Sequence, residues 1–338
     1  MDHRNIVVVG GSAGALQPLR TIVGALPGDF PATMFVVIHV SPRSESVLPQ
    51  LLSHWGPIPA VHAVDGEPIR GGRIYVAPPD HHLMVYPQHV RVVRGPKENR
   101  HRPAIDPLFR SAARSYGDGV IGVLLSGALD DGSVGLAVIK EAGGAVVVQD
   151  PDDASTPSMP RSALQHVEPD HLLRSDDIPR VLVELARARG SAPARLDIGD
   201  RALPEPGGDV DRPAVFSCPD CGGVLVERDE AGVRSFKCTV GHSLSDQSLL
   251  EGQQETFETA LWAAMRALEE RAALLRNLER RMRGKSPSSA AHFETQAREA
   301  ERRAGLVRQA LNWMPDVRAE RSTAEAGAAG DGNRSDPS

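Results

Sequence analysis

The sequence predicts a doubly wound, Rossmann-like α/β domain with a mostly parallel sheet, followed by a zinc-ribbon-like module and a helical hairpin. Three observations carry this. Short β-branched runs alternate with helical patterns through the first two-thirds of the 338 residues. All three cysteines, Cys218, Cys221 and Cys238, cluster late in the chain. Beyond Leu249 the pattern becomes charged and helical, with apolar residues three and four apart.

The alternation begins at Ile6-Val7-Val8-Val9-Gly10-Gly11-Ser12-Ala13-Gly14-Ala15-Leu16, where a β-branched run stops at two glycines and a helical pattern follows. The spacing Gly10-x-Ser12-x-Gly14 fits a strained strand-to-helix elbow that lifts a nucleophilic serine above a parallel sheet. The serine also suits a helix N-cap. A third reading, a nucleotide-phosphate loop, meets Val9 where a dinucleotide fingerprint needs glycine.

Further strands are predicted at 34–39, 73–77, 83–86, 91–94, 120–125 and 144–148. Helices are predicted at 14–25, 46–54, 106–115, 133–142, 158–166 and 178–188. The pair 83–86 and 91–94, joined by Pro87-Gln88-His89-Val90, reads as an antiparallel hairpin. In a parallel sheet functional groups gather at the carboxyl ends of strands. Ser12, His39 and Asp131 stand at three such ends. Singly, each has a structural reading: a cap, a hydrogen-bonded core histidine, a turn aspartate. Jointly they supply nucleophile, general base and orienting carboxylate. Their order, Ser–His–Asp, differs from the Ser–Asp–His order of α/β-hydrolases.

Composition bounds the rest. A formal net charge of -6 gives no reason to expect nucleic-acid binding. The short stretch Asn99-Arg100-His101-Arg102 lacks the aromatics of a nucleic-acid surface. No apolar run is long enough to span a membrane, and Met1–Asn5 lacks a signal-peptide profile, so the expected location is cytoplasmic.

Residues 5 to about 188 resemble the catalytic domain of the chemotaxis receptor-glutamate methylesterase (CheB) family. The resemblance is carried by the Gly10–Ala15 elbow, Ile38-His39 and Ile74-Tyr75-Val76-Ala77-Pro78-Pro79-Asp80-His81-His82-Leu83. It continues through Asn99-Arg100-His101-Arg102-Pro103-Ala104-Ile105-Asp106-Pro107-Leu108-Phe109, Leu125-Ser126-Gly127-Ala128-Leu129-Asp130-Asp131-Gly132 and Ser158-Met159-Pro160-Arg161. It implies a cofactor-independent hydrolysis of γ-glutamyl methyl esters on chemoreceptors, with glutamine deamidation as a second activity. Ser12, His39 and Asp131 would form the triad, and the backbone N–H groups of Ala13 and Ala128 the oxyanion hole. Arg100, Arg102 and Met159 would meet the substrate. The family's Gly-Met-Gly-Asn-Asp-Gly turn is Gly127-Ala128-Leu129-Asp130-Asp131-Gly132 here, so Asp130 would add a charge beside the general base. No receiver domain precedes residue 5, so control is expected from a partner, from the C-terminal third, or not at all. An esterase or amidase for another modified protein, and a weakly active signalling scaffold, are the alternatives.

Domain boundaries are expected at 1–189 for the esterase and 190–214 for a Gly/Pro-rich linker. The ribbon should span 215–247, the helical hairpin 248–315 and a disordered tail 316–338. Within the ribbon, Cys218-x2-Cys221 and Cys238-x3-His242 offer three thiolates and one imidazole, a set that suits structural Zn²⁺. In the hairpin the stripe Phe257, Leu261, Met265, Leu268, Ala272, Leu275 and Met282 would pack on the second helix. The same stripe suits a homodimer or a receptor bundle.

Overall fold

The computed structural model describes residues 5–40, 46–189 and 212–313. The first domain runs β1 (Ile6–Gly11), α1 (Leu16–Ala25), β2 (Thr33–Ile38), α2 (Leu48–Trp55), β3 (Ala60–His62), β4 (Ile74–Val76), β5 (His82–Tyr86) and β6 (His89–Val93). It continues α3 (Ile105–Tyr116), β7 (Val120–Leu124), α4 (Ser133–Glu141), β8 (Ala145–Gln149), α5 (Ser158–His166), β9 (His171–Leu173) and α6 (Ile178–Arg189). Seven strands form one sheet in the order β3-β4-β2-β1-β7-β8-β9. Every pairing in it is parallel. β3 and β9, three residues each, are too short to leave a period in the sequence and were not expected.

Alternation along β1 sends Val7 and Val9 to one face and Ile6 and Val8 to the other, all four fully buried. The first face packs on α1, α2 and α6 through Leu19, Ile22, Leu52, Ile178 and Leu182. The second packs on α3, α4, α5 and the hairpin through Ile105, Leu108, Leu136, Met159, Leu83 and Val85. Helices on both faces explain why the strands read as unbroken apolar runs. The β5–β6 hairpin is a separate two-stranded sheet. Tyr86 pairs with His89, so its turn is the two residues Pro87-Gln88 rather than the four expected. Gln88 takes the left-handed angle this turn needs, with φ 66°.

The ribbon follows as β10 (Arg212–Ser217), β11 (Val224–Glu230), β12 (Val233–Cys238) and β13 (Ser243–Ser245), a four-stranded antiparallel sheet. β10 opens inside the span expected to be linker. The remainder of that linker, 190–211, and the tail 316–338 lie outside the described residues. The ribbon belongs to the same compact unit as the parallel sheet, a unit that closes at Gly252. It is held there by Arg114, whose guanidinium donates to Glu230 at 2.5 Å, and by Arg110, which bridges Glu98 and Glu230. Val233 packs with Val134 and Ala137 of α4.

The second unit, from Gln253, comprises most of α7 (Asp246–Met282) and all of α8 (Pro287–Trp313). Arg276 pairs with Glu301, and Arg308 with Glu269. Moving outward on one helix therefore matches moving inward on the other, so the two run antiparallel. Their seam is small, with Ala272, Leu275, Ala290, Ala297, Ala300 and Ala304 buried. The expected stripe is buried only at its distal part, since Phe257 is 53% exposed.

Candidate active site and metal centre

The strand order reverses direction between β1 and β7, and a parallel sheet opens a crevice at such a switch point. Ser12 follows β1 at that crevice. Its N–H donates to Ser126 O at 3.0 Å, which ties the turn to the end of β7. α1 begins only at Leu16, capped by Ala15 without a side-chain bond, so the Ser12 hydroxyl is not spent on the helix. Glycine is required close by. Gly14 has φ +76°, and a Cβ there would lie 1.8 Å from Ser155 Oγ. A Cβ on Gly127 would meet Met159 Sδ at 2.6 Å and Ser12 Cβ at 3.0 Å.

His39 sits on the neighbouring strand end, its N–H donating to Gly11 O at 3.2 Å. Adjacent strands lie about 4.8 Å apart, which makes Ser12 and His39 neighbours across the crevice. The imidazole Nε2 lies 2.8 Å from Asp131 Oδ2. An ionised carboxylate only accepts, so Nε2 carries the proton and Nδ1 keeps a lone pair. Nδ1 is buried and has no hydrogen-bond partner among the described residues. A buried, unpartnered acceptor beside a serine is the arrangement a general base requires.

Asp131 collects four donors. Oδ2 accepts from His39 Nε2 and from Ile105 N–H at 2.7 Å. Oδ1 accepts from Asn99 Nδ2 at 2.9 Å and from Asp106 N–H at 3.2 Å. The aspartate therefore caps the N-terminus of α3, a helix remote in sequence, and not its own α4. Burial would raise its pKa, but hydrogen bonds from His39, Ile105 and Asn99 and the charge of His39 hold it well below the usual carboxylate range. Asp106 shares the Asn99 amide, its Oδ2 accepting at 2.9 Å. Burial, then the charge of Asp131, push Asp106 well above that range.

Three residues of this site were not singled out by sequence: Asn99 and His101 as partners of the dyad, and Asp106. His101 stacks on His39 with centroids 3.7 Å apart, its Nδ1 donating to Asn99 O at 2.6 Å. Burial and the neighbouring His39 push His101 down to about 4, so it is neutral near pH 7. The available signal was their common stretch Asn99–Asp106, which carried the resemblance but in which only the arginines were given a role.

The other expected residues fall as follows. Ala13 and Ala128 are exposed beside Ser12 and Gly127, and their N–H groups donate to no described backbone acceptor. Met159 is fully buried beneath Gly127, so it supports the Ser12 turn from below. Arg102 faces inward, its Nη2 2.6 Å from Asp80 Oδ1 and its Nη1 donating to Gly95 O. Arg100 lies 3.6 Å from Glu251. The two arginines are thus held by carboxylates of this chain, not displayed as a cationic patch.

Asp130 also departs from expectation. It is buried, and its Oδ1 accepts from Ser245 Oγ at 2.7 Å and Ser248 Oγ at 3.3 Å, turned to the ribbon instead of the base. Burial pushes it up to about 6, with Asp131 adding to the rise and the serine hydroxyls opposing it. In acid Asp130 is neutral in both folded and unfolded chains. As pH rises through about 6 the folded chain must bury a charge, so the stability present in acid is lost. Asp130→Asn stays neutral, and its advantage over the parent should grow by about 3 kcal/mol from pH 4 to 8. Thermal unfolding at the two pH values measures this, and an equal difference at both would refute it.

Cys218, Cys221, Cys238 and His242 converge, all ligand atoms lying within 4.8 Å of one another. Cys221 Sγ and Cys238 Sγ are 3.6 Å apart, too far for a disulfide. His242 Nδ1 is 3.7 Å from Cys218 Sγ and 3.6 Å from Cys238 Sγ. A tetrahedral ion with bonds of about 2.3 Å to sulfur and about 2.0 Å to nitrogen has edges of about 3.5 to 3.8 Å. Backbone N–H groups of Asp220 and Cys221 reach Cys218, and those of Val240 and Gly241 reach Cys238. The four ligand atoms are spaced as a tetrahedral metal ion would require.

A serine turn at the switch point of a parallel sheet, beside a buried histidine–carboxylate pair, defines an α/β domain of hydrolase type. The comparisons agree. The chain belongs to the CheB methylesterase family, whose model matches residues 7–182, just over half of the chain. A relative from Anaeromyxobacter dehalogenans, named "Protein-glutamate methylesterase/protein-glutamine glutaminase 2", is 38% identical over 182 residues, covering 54% of this chain and 53% of its own length. A Leptospira interrogans protein, provisionally named for the same two activities, is 38% identical over 53% of this chain and 93% of itself. The chain thus spans about half the length of the first relative and nearly all of the second. The crystal structure of the Thermotoga maritima CheB methylesterase catalytic domain matches with a TM-score of 0.52 at 34% identity, over 54% of this chain and 98% of that one. The family model's match ends at residue 182, before the ribbon and hairpin. No helix among the described residues is long and apolar enough to cross a membrane.

Proposed function

We propose that this chain is a serine esterase that removes methyl groups from γ-glutamyl methyl esters of chemoreceptor-type proteins. The observation that carries the reading is the buried His39–Asp131 pair with an unpartnered Nδ1 beside Ser12. Ser12 Oγ attacks the ester carbonyl while His39 Nδ1 takes its proton, and Asp131 fixes the tautomer and offsets the imidazolium charge. The negative oxygen that forms is met by the N–H groups of Ala13 and Ala128, each such donor contributing on the order of a hundredfold in rate. The His39 proton then leaves with methanol. Water repeats the sequence on the acyl-enzyme, returning Ser12 and a glutamate carboxylate.

The double name of the relatives supports glutamine deamidation by the same groups, with ammonia as the leaving group. Cys218, Cys221, Cys238 and His242 would hold a structural Zn²⁺. With four protein ligands it supplies a cross-link to the ribbon and no open coordination position.

The test is methanol release from a carboxyl-methylated chemoreceptor cytoplasmic fragment, with ammonia release from the glutamine-bearing fragment run beside it. Methanol at a rate well above the no-enzyme control is expected. Hydrolysis of a small generic ester but not of the receptor would move the substrate to another modified protein. Inertness toward both would leave a signalling scaffold.

A further inference from the structure

We propose that the ribbon is a working part of the esterase: β13 fixes the amide of Asn99, and Asn99 in turn positions Asp131, so a segment over a hundred residues downstream completes the catalytic dyad. The inference rests on the esterase reading of Ser12, His39 and Asp131.

The geometry is specific. Asn99 is buried at a left-handed backbone angle, φ 47°, which asparagine tolerates better than most residues. Its N–H donates to Ser243 O at 2.8 Å, and Ser243 N–H donates back to Lys97 O at 3.3 Å. Residues 97–99 thereby lie along β13. The side chain is fully used. Oδ1 accepts from Ser245 N–H at 3.0 Å, and Nδ2 donates to Asp131 Oδ1 and Asp106 Oδ2, each at 2.9 Å.

An asparagine amide can flip end for end, and the choice is set by its partners. A backbone N–H can only donate, so Ser245 forces Oδ1 toward the ribbon and the NH₂ toward the two carboxylates. Without that contact Oδ1 loses its only donor, and Asn99 is held at its NH₂ end alone. The same loop carries His101, which stacks on His39, so displacement of β13 would move both sides of the dyad's support. Ser245 Oγ closes a second link, to Asp130 in the turn that bears Asp131.

The metal cluster sits at the root of this strand. Cys238 ends β12, His242 precedes β13, and Cys238 N–H donates to His242 O at 3.0 Å. β12 and β13 pair Lys237 with Ser243 and Ser235 with Ser245. Two of the four ligands therefore clamp the hairpin whose outer strand holds Asn99. Asn99 and Ser245 are positioning residues: neither is placed to touch the substrate.

The full-length protein is compared with its Asn99→Ala and Cys221→Ser variants, and with protein stripped by a chelator and then resupplied with Zn²⁺ alone. Cys221 is chosen because it is the exposed ligand. The first readout is the downfield proton signal of His39 Nε2–H against Asp131, together with hydrogen exchange at 97–101. Metal removal and Asn99→Ala should each shift or broaden that signal and speed exchange at 97–101, while β1 and β7 stay protected. Zn²⁺ should restore the stripped protein but not Asn99→Ala. The second readout is turnover, where kcat should fall on the order of 10²-fold with KM held within a factor of two. An unchanged His39 signal in metal-free protein whose ribbon resonances have collapsed would overturn the inference, as would Asn99→Ala that lowers only the melting temperature. A signal that responds in protein inert toward methylated receptor would support the coupling and fail the substrate reading, which keeps the two apart.

Discussion

Ser12→Ala is expected to lower methanol release on the order of 10⁴-fold or more, because it removes the only atom that can form the acyl-enzyme in this scheme. The fold should survive. Ser12 is only partly buried, its N–H bond to Ser126 O belongs to the backbone, and alanine adds nothing to the space beneath Gly127. Thermal unfolding should therefore stay close to that of the parent while turnover collapses. Activity within tenfold of the parent would remove Ser12 from the mechanism and return it to the reading of a turn residue.

Asp131→Asn is expected to cost about 10⁴-fold in kcat and, unlike Ser12→Ala, to destabilise the chain. The kinetic loss follows from the tautomer. An amide NH₂ facing Nε2 makes that nitrogen an acceptor, which puts the imidazole proton on Nδ1, where the Ser12 proton must go. The stability loss follows from the donor count. Both carboxylate oxygens accept two bonds each, one of them from a fixed α3 backbone N–H. Either amide orientation thus sets an NH₂ against a backbone N–H. A buried mismatch of that kind costs about 1–3 kcal/mol. Full turnover by Asp131→Asn would defeat the proposed role of the carboxylate.

Much of this was legible because the signals were local. A strand, a Gly-bounded turn and a helix follow within a dozen residues at Ser12 and again at Asp131, and His39 ends an apolar strand. The Cys-x2-Cys and Cys-x3-His spacings likewise carry their own geometry. What escaped is non-local. Nothing in the neighbourhood of Asn99 announces that its amide is set by Ser245, 146 residues away. Asp130 sits one residue from Asp131 and was expected to add a charge beside the general base. A turn sends the two side chains to different partners, the one to Ser245 and Ser248, the other to His39 and α3. Arg102, expected to meet the substrate, is held by Asp80, 22 residues earlier in the chain, a pairing its own neighbourhood does not announce. The α7 stripe has the right period along its length, but small alanines on α8 bury only its distal part.

The long separation between Asn99 and Ser245 also sets an order of events during synthesis. The last strand of the parallel sheet ends at Leu173, and Ser245 follows roughly 70 residues later. At about 5–20 residues per second the nascent chain spends several seconds with every sheet strand made and the Asn99 Oδ1 still without its Ser245 partner. The growing polypeptide therefore carries its serine, histidine and aspartate well before it carries the strand that steadies them, and the enzyme reaches its finished state only as its own late segment is delivered.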